Sequence, residues 1–265
     1  MNLLVDHIVQ IVDDPKQAGC QLKRLNFDVV EHVTEAPETS YVRSTCDNTY
    51  LEYRGRRCTS SQTFRLINKS RERKGDVGGQ TTGTWIAFQV ENLECLAQRL
   101  TGEGFRVFCL SEPATLMTEG VQKESRVLFP RMKTKRMMPL PVFVERGEAS
   151  HHVQPASLAW LPRHSEGLRL RNIVIAVRDL PFVIETWARI LQRRPTESWI
   201  QADLNAYCAR IPLDDDIYLI FCTPTGDGVV QDVLTKHGER PFLLNFTGSN
   251  RQGDSAVCGT VYRLT

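Results

Sequence analysis

His7, Glu52 and Glu145 are the side chains of this 265-residue sequence whose types and settings point most directly to chemistry. Each lies in a short run that reads as a strand: Val5-Asp6-His7-Ile8-Val9, Thr49-Tyr50-Leu51-Glu52 and Val142-Phe143-Val144-Glu145. Side chains alternate along a strand, so Ile8, Gln10 and Val12 share one side while His7, Val9 and Ile11 share the other. The same parity groups Tyr50 with Glu52 and Phe143 with Glu145. It predicts that an imidazole and two carboxylates converge in one hollow, where a carboxylate moves a proton. A plainer use of these groups is a His7–carboxylate hydrogen bond neutralised by Arg43, Arg54 or Arg146. Trp85, Tyr50, Phe143 and Tyr218, together with Gln89 and Arg43, offer walls for a flat or aromatic ligand. Plain core packing accounts for the aromatic positions equally well.

Other chemistry-bearing stretches carry less. His151-His152 sits in a polar stretch, 147–167, and reads as solvent-exposed. Arg71-Glu72-Arg73-Lys74-Gly75-Asp76-Val77-Gly78-Gly79 lacks the Gly-Lys-Ser/Thr ending of a phosphate loop and reads as a linker or lid. The basic, methionine-interleaved run Arg131–Met138 reads as a solvated loop. No serine or cysteine nucleophile stands in a recognisable arrangement with a histidine.

The elements that must position these groups repeat. Leu3–Val12 turns at Asp13-Asp14-Pro15 into a helix carrying Ala18, Leu22 and Leu25. Thr84–Val90 turns at Glu91-Asn92 into one carrying Leu93, Leu96 and Leu100, and Arg171–Val177 turns at Asp179 into one carrying Val183, Trp187, Ile190 and Leu191. Asp or Asn before an apolar stretch with helical period is an N-cap signal. Three further strands follow each helix. A helix over Val229–His237 and strands near Leu243–Phe246 and Thr260–Arg263 suggest a fourth, degenerate unit without a clear first strand. The expected fold is α+β: βαβββ modules forming curved mixed sheets with helices on the outer face. The modules fall at about 1–57 and 80–148, with a linker over 58–79, forming a first half of 1–148. A linker over 149–167 leads to a second half, 168–265, divided into 168–223 and 224–265. On the third unit's first strand Asn172 replaces His7, and Ile220 replaces Glu52 on its closing strand, so a second site of the same chemistry is not expected there.

Composition excludes several classes. A net charge of +2 gives no argument for nucleic acid, and no apolar run approaches a membrane span. The eight cysteines form no C-x-x-C pair; buried, reduced thiols and a cytoplasmic setting are the expectation. Monomer and homodimer remain open.

The pattern resembles the glyoxalase-like branch of the vicinal-oxygen-chelate superfamily over nearly the whole chain. Val5-Asp6-His7-Ile8-Val9, Asn48-Thr49-Tyr50-Leu51-Glu52, Leu140-Pro141-Val142-Phe143-Val144-Glu145 and Gly259-Thr260-Val261-Tyr262-Arg263 carry the resemblance. It implies His7, Glu52 and Glu145 as ligands of a divalent ion (manganese, iron, nickel or zinc), with Glu52 and Glu145 also the catalytic carboxylates. The fourth ligand place is Trp85, which has no metal-binding atom, and Glu38-Thr39-Ser40-Tyr41 departs from the branch's pattern. Two readings follow. One is a metal-dependent lyase, isomerase or dioxygenase acting on a small oxygenated metabolite. The other is a metal-free protein that binds or sequesters an aromatic or amphipathic small molecule.

Overall fold

The computed structural model describes residues 4–32, 41–55, 83–112, 125–132, 138–146, 167–214 and 216–265. Strands β1 (Leu4–Val12), β2 (Val29–His32), β3 (Tyr41–Cys46), β4 (Thr49–Gly55), β5 (Thr84–Gln89), β6 (Arg106–Glu112), β7 (Ser125–Arg131) and β8 (Val142–Arg146) form one sheet, ordered β2-β3-β4-β1-β5-β8-β7-β6. Strands β9 (Arg169–Ala176), β10 (Glu197–Gln201), β11 (Ala206–Pro212), β12 (Tyr218–Pro224), β13 (Arg240–Thr247), β14 (Gly253–Val257) and β15 (Thr260–Leu264) form the other, ordered β10-β11-β12-β9-β13-β15-β14. The helices are α1 (Pro15–Arg24), α2 (Leu93–Gly102), α3 (Leu180–Leu191) and α4 (Val229–His237). Both sheets are mixed and open, an α+β architecture. None of these helices is long and apolar enough to cross a membrane. The linkers expected over 58–79 and 149–166, with His151-His152, 71–79 and residues 133–137 of the basic run, lie outside the described residues.

The first three helices start where the sequence places their caps. Asp14 Oδ1 accepts from Lys16 N at 2.9 Å, Asn92 Oδ1 from Cys95 N at 2.9 Å, and Asp179 Oδ1 from Phe182 N at 3.1 Å. Each cap satisfies an otherwise orphaned amide, worth about 1 kcal/mol. Leu22, Leu96, Leu100, Val183, Trp187 and Ile190 then bury one helix face against their sheets.

The helix-side faces of both sheets share one core. Ile8, Leu51, Phe88 and Phe143 of the first half and Ile175, Phe221, Phe246 and Tyr262 of the second belong to a single apolar cluster. Trp187 stands between Phe88 and Phe221, at 6.5 and 5.2 Å between ring centroids. Polar stitches join the halves as well. The Asn48 side chain exchanges two hydrogen bonds with the Leu170 backbone, at 2.9 and 3.0 Å. Gln10 Nε2 donates to the Tyr262 hydroxyl at 3.2 Å, and that hydroxyl pairs with Tyr53.

The fourth repeat differs from its expectation in two ways. Its first-strand place is filled: β13 runs antiparallel to β9 and parallel to β15, as β5 does to β1 and β8. The missing parts are the helix after that strand and one further strand. Moreover α4 precedes β13 and packs on the sheet face turned away from the other helices, inserting Val230 and Leu234 among Val174, Ala176 and Leu243. The thiols depart too. Cys208 and Cys222, neighbours across β11 and β12 with Cα atoms 4.3 Å apart, form a disulfide. Cys20, Cys95 and Cys109 are exposed rather than buried. The short apolar runs around these residues did not separate a buried from an exposed strand or helix side.

Candidate functional site

The first sheet's face opposite the helices is where β1, β3, β4 and β5 bring polar groups together. Backbone register sets the order. One line of neighbours reads Arg43, Glu52, Val9, Trp85; the next reads Thr45, Tyr50, His7, Ala87; on the other side of the first, the line reads Tyr41, Arg54, Ile11. Each is every second residue of its strand, so the grouping follows from the pleat.

Glu52 is the centre of this face. Its side chain is fully buried, with Arg43 Nε donating to one oxygen at 2.6 Å and Arg54 Nε donating to the other. Burial pushes the carboxyl pKa up, but Arg43 and Arg54, and then His7, outweigh it and hold the group well below the usual carboxylate range. Burial works against the charge on Arg43, and Glu52 restores it. The Arg43 guanidinium lies over the Tyr41 ring, 4.6 Å from its centroid, and 5.4 Å from that of Tyr50. Glu52 and the two arginines are thus a fixed ionic unit, not a carboxylate awaiting a partner.

His7 stacks on Tyr50, with centroids 4.7 Å apart and planes 12° apart. Its Nδ1 meets Asp6 Oδ2 at 2.5 Å, and the Asp6 side chain is wholly buried. Neighbours on a regular strand face opposite ways, so this pairing needs an irregularity. The β1–β5 register supplies one: it slips between Val5 and His7, leaving Asp6 as an extra residue. Trp85 borders the same surface. Its indole folds over Gly83, where an added methyl would overlap the ring, so the absent side chain sets the pose of the tryptophan.

The structure does not bring the third expected group to this place. On β8 the register sets Phe143 beside Phe88 and Val142 beside Ala87, so Phe143 and Glu145 project to the helix side. Phe143 is buried in the shared core. Glu145 accepts from Leu93 N, at the start of α2, at 3.0 Å and from Arg126 Nη1 at 3.0 Å, a carboxylate placed where the helix dipole favours it. Gln89 keeps the expected parity but stands two residues past Ala87, away from the Glu52 line. The two first strands cross at Ile8 and Ile86, which relates His7 to Trp85 and Val9 to Ala87; the counterpart of Glu52 is therefore Val142. Three consecutive apolar residues, 142–144, carry no alternation, so parity on this strand was not readable.

A divalent ion needs several ligands within about 2.0–2.2 Å of one point. Here Glu145 caps a helix, both Glu52 oxygens are bound by arginine, and His7 Nδ1 is bound by Asp6. Among the described residues no three His, Cys, Asp or Glu side chains cluster suitably for a metal. The described residues do not fit the ion. Asp6 and Tyr41 are the site members that sequence reasoning did not single out. Asp6 was visible only as the neighbour of His7, since a bulge has no reliable sequence signature in so short a run.

The same face of the second sheet has other chemistry. Asn172, Ile220 and Leu243 stand where the first has His7, Glu52 and Trp85, while Arg210 and Tyr218 match Arg43 and Tyr50. Arg210 pairs with Glu197 at 3.2 Å and lies over Tyr218, 4.6 Å from its centroid.

Comparison with known proteins agrees with the repeat. The profile of the glyoxalase-like domain matches residues 5–191. A hypothetical protein from Staphylococcus aureus has a similar structure, with a TM-score of 0.69, 12% identity and 99% of each chain covered. A 4-hydroxymandelate synthase mutant from Streptomyces coelicolor reaches 0.58 at 13% identity, covering 93% of this chain and 71% of its own. The Mn(II)-bound glyoxalase from Novosphingobium aromaticivorans reaches 0.52 at 10% identity, covering 98% and 81%. At such identities the likeness is one of fold. No curated protein sequence matches the chain.

Proposed function

Since the chain belongs to the glyoxalase-like domain family, in the vicinal-oxygen-chelate superfamily, we propose that its first half binds a small, planar, oxygen-bearing molecule on the face carrying His7, Glu52 and Trp85, without a metal ion. The observation that carries the reading is the state of Glu52, whose two oxygens are both held by arginines. Freeing that carboxylate for a metal would break both of these largely buried ion pairs, at a cost of about 3–5 kcal/mol. The half-buried Trp85 supplies flat apolar surface beside donors and acceptors, with Tyr50 stacked behind His7, which suits an aromatic or conjugated carbonyl compound. Phe143 and Glu145 play no part in the proposed binding. The setting we propose is a cytoplasmic monomer or homodimer whose partner is a small molecule, with no role for nucleic acid or membrane.

One relative is a Mn(II)-bound glyoxalase, so the metal-dependent reading has its own test. Protein purified without an affinity tag should contain well under one manganese, iron, nickel or zinc per chain by elemental analysis. A stoichiometric metal that disappears in His7→Ala would overturn the proposal. For binding, 2-indanone and phenylpyruvate serve as planar carbonyl probes, followed by thermal shift and tryptophan fluorescence. Wild-type protein should respond to at least one, and Trp85→Ala should weaken that response about tenfold; no response to either probe counts against the reading.

A further inference from the structure

We propose that Asp6 and His7 form a metal-free proton-transfer dyad, with His7 as the base for a carbonyl compound that has a C–H next to its carbonyl group. The inference rests on the proposed binding face and adds a reaction to it.

Four observations carry the assignment. The Asp6 carboxylate is wholly buried and sits 2.5 Å from His7 Nδ1. An ionised carboxylate only accepts, so Nδ1 donates to it, and in the neutral imidazole the lone pair then lies on Nε2. Among the described residues Nε2 has no hydrogen-bond partner, and the His7 side chain retains 13% exposure, so that nitrogen is unengaged on a side chain in contact with solvent. The bulge at Asp6 is what turns its carboxylate toward His7, and bulges re-aim side chains in this way. Finally, the ring is held flat on Tyr50 at 4.7 Å, which fixes the direction of the lone pair.

Among the described residues, the ionisable groups around His7 are Asp6 on its own strand, Glu52, Tyr50 and Arg54 on β4, and Arg43 on β3; the β5 neighbour, Ala87, adds none. The two guanidinium groups and the two carboxylates lie on adjacent strands, with the imidazole beside them. In the step, the proton on the carbon next to the carbonyl moves to Nε2. The C–H electron pair becomes the C=C bond of an enolate, and the carbonyl π pair moves to oxygen. The product is an imidazolium–enolate pair of zero net charge, next to Arg54 and Arg43. Return of the proton, exchanged with solvent, restores the ketone. Nothing is oxidised or reduced.

The test uses the full chain in D2O with 2-indanone and phenylpyruvate, whose CH2 signals are followed by proton NMR. Wild-type protein should speed loss of the CH2 signal over buffer. His7→Gln should lower that rate by about a hundredfold or more while keeping probe affinity within a few-fold. Asp6 acts through His7 and is a positioning residue: Asp6→Asn should lower kcat for exchange and leave KM nearly unchanged, whereas a merely structural role would move both together. Added imidazole should recover part of the exchange in His7→Gly. Binding without faster exchange overturns this proposal and leaves the binding reading intact. Equal exchange in wild type and His7→Gln overturns it too. Failure of both probes to bind overturns both readings.

Discussion

The two halves of the molecule use one backbone plan and treat its outer face in opposite ways. In the first, the face opposite the helices holds Glu52 between Arg43 and Arg54, with His7 and Trp85 alongside. In the second, the equivalent face is apolar at its centre. Ile220 replaces the carboxylate, Leu243 replaces the tryptophan, and α4 lies over Ala176, Cys208 and Cys222. Only Arg210 and Tyr218 preserve the older arrangement, and there the arginine turns to Glu197 instead. A duplicated module can thus keep one copy polar because the other is closed by a helix and contributes core.

The sharpest way to break this contrast is Glu52→Ile, which copies the second half's residue into the first. Arg43 and Arg54 then lose their shared carboxylate, and we expect unfolding stability to fall by about 3–5 kcal/mol in urea titration. A loss under 1 kcal/mol would mean that Glu52 is not the centre of the face. Next in size is Leu234→Ala on α4, which opens a void over the second sheet. It should cost about 2–4 kcal/mol and leave 2-indanone binding unchanged; altered binding would show that the closed face feeds the open one.

A third expectation concerns acid. The folded Glu52 carboxyl protonates well below its unfolded value, so its stabilisation is complete above about pH 4.5 and is lost as pH falls from there. Below pH 4 the wild type should lose stability more steeply than Glu52→Gln, by up to about 1.4 kcal/mol per pH unit for this one proton. Calorimetric melting curves between pH 5 and 3 read this directly, and parallel slopes would contradict it. The smallest effect probes what the halves share. Asn92→Ala and Asp179→Ala each remove a helix N-cap and should cost about 1 kcal/mol apiece, equal within error, since both side chains accept from the amide three residues on, in the first turn.

Much of this was legible in the residues. Alternation on β1, β5 and β9 assigned His7, Trp85 and Asn172 to one face and Ile8, Ile86 and Ile173 to the other, because each strand has one clearly apolar side. The caps Asp14, Asn92 and Asp179 marked their helices. Alternation failed on β8, where Val142, Phe143 and Val144 are apolar on both sides, so reading Glu145 as the companion of Glu52 set it on the wrong side of the sheet. It was silent on Asp6 as well, since one inserted residue turns a carboxylate without altering the surrounding pattern. The position of α4 was hidden for another reason: an amphipathic helix states that it buries one side and not which sheet face receives it.

The Tyr262 hydroxyl, bonded to Gln10 and Tyr53, ties the final strand to the back of the strands that carry His7 and Glu52. A chain emerging from the ribosome therefore has its first eight strands long before it has the residue that finishes packing behind them. The binding face should become competent only once Tyr262 has emerged, so a residue far downstream sets when the site on the early strands matures.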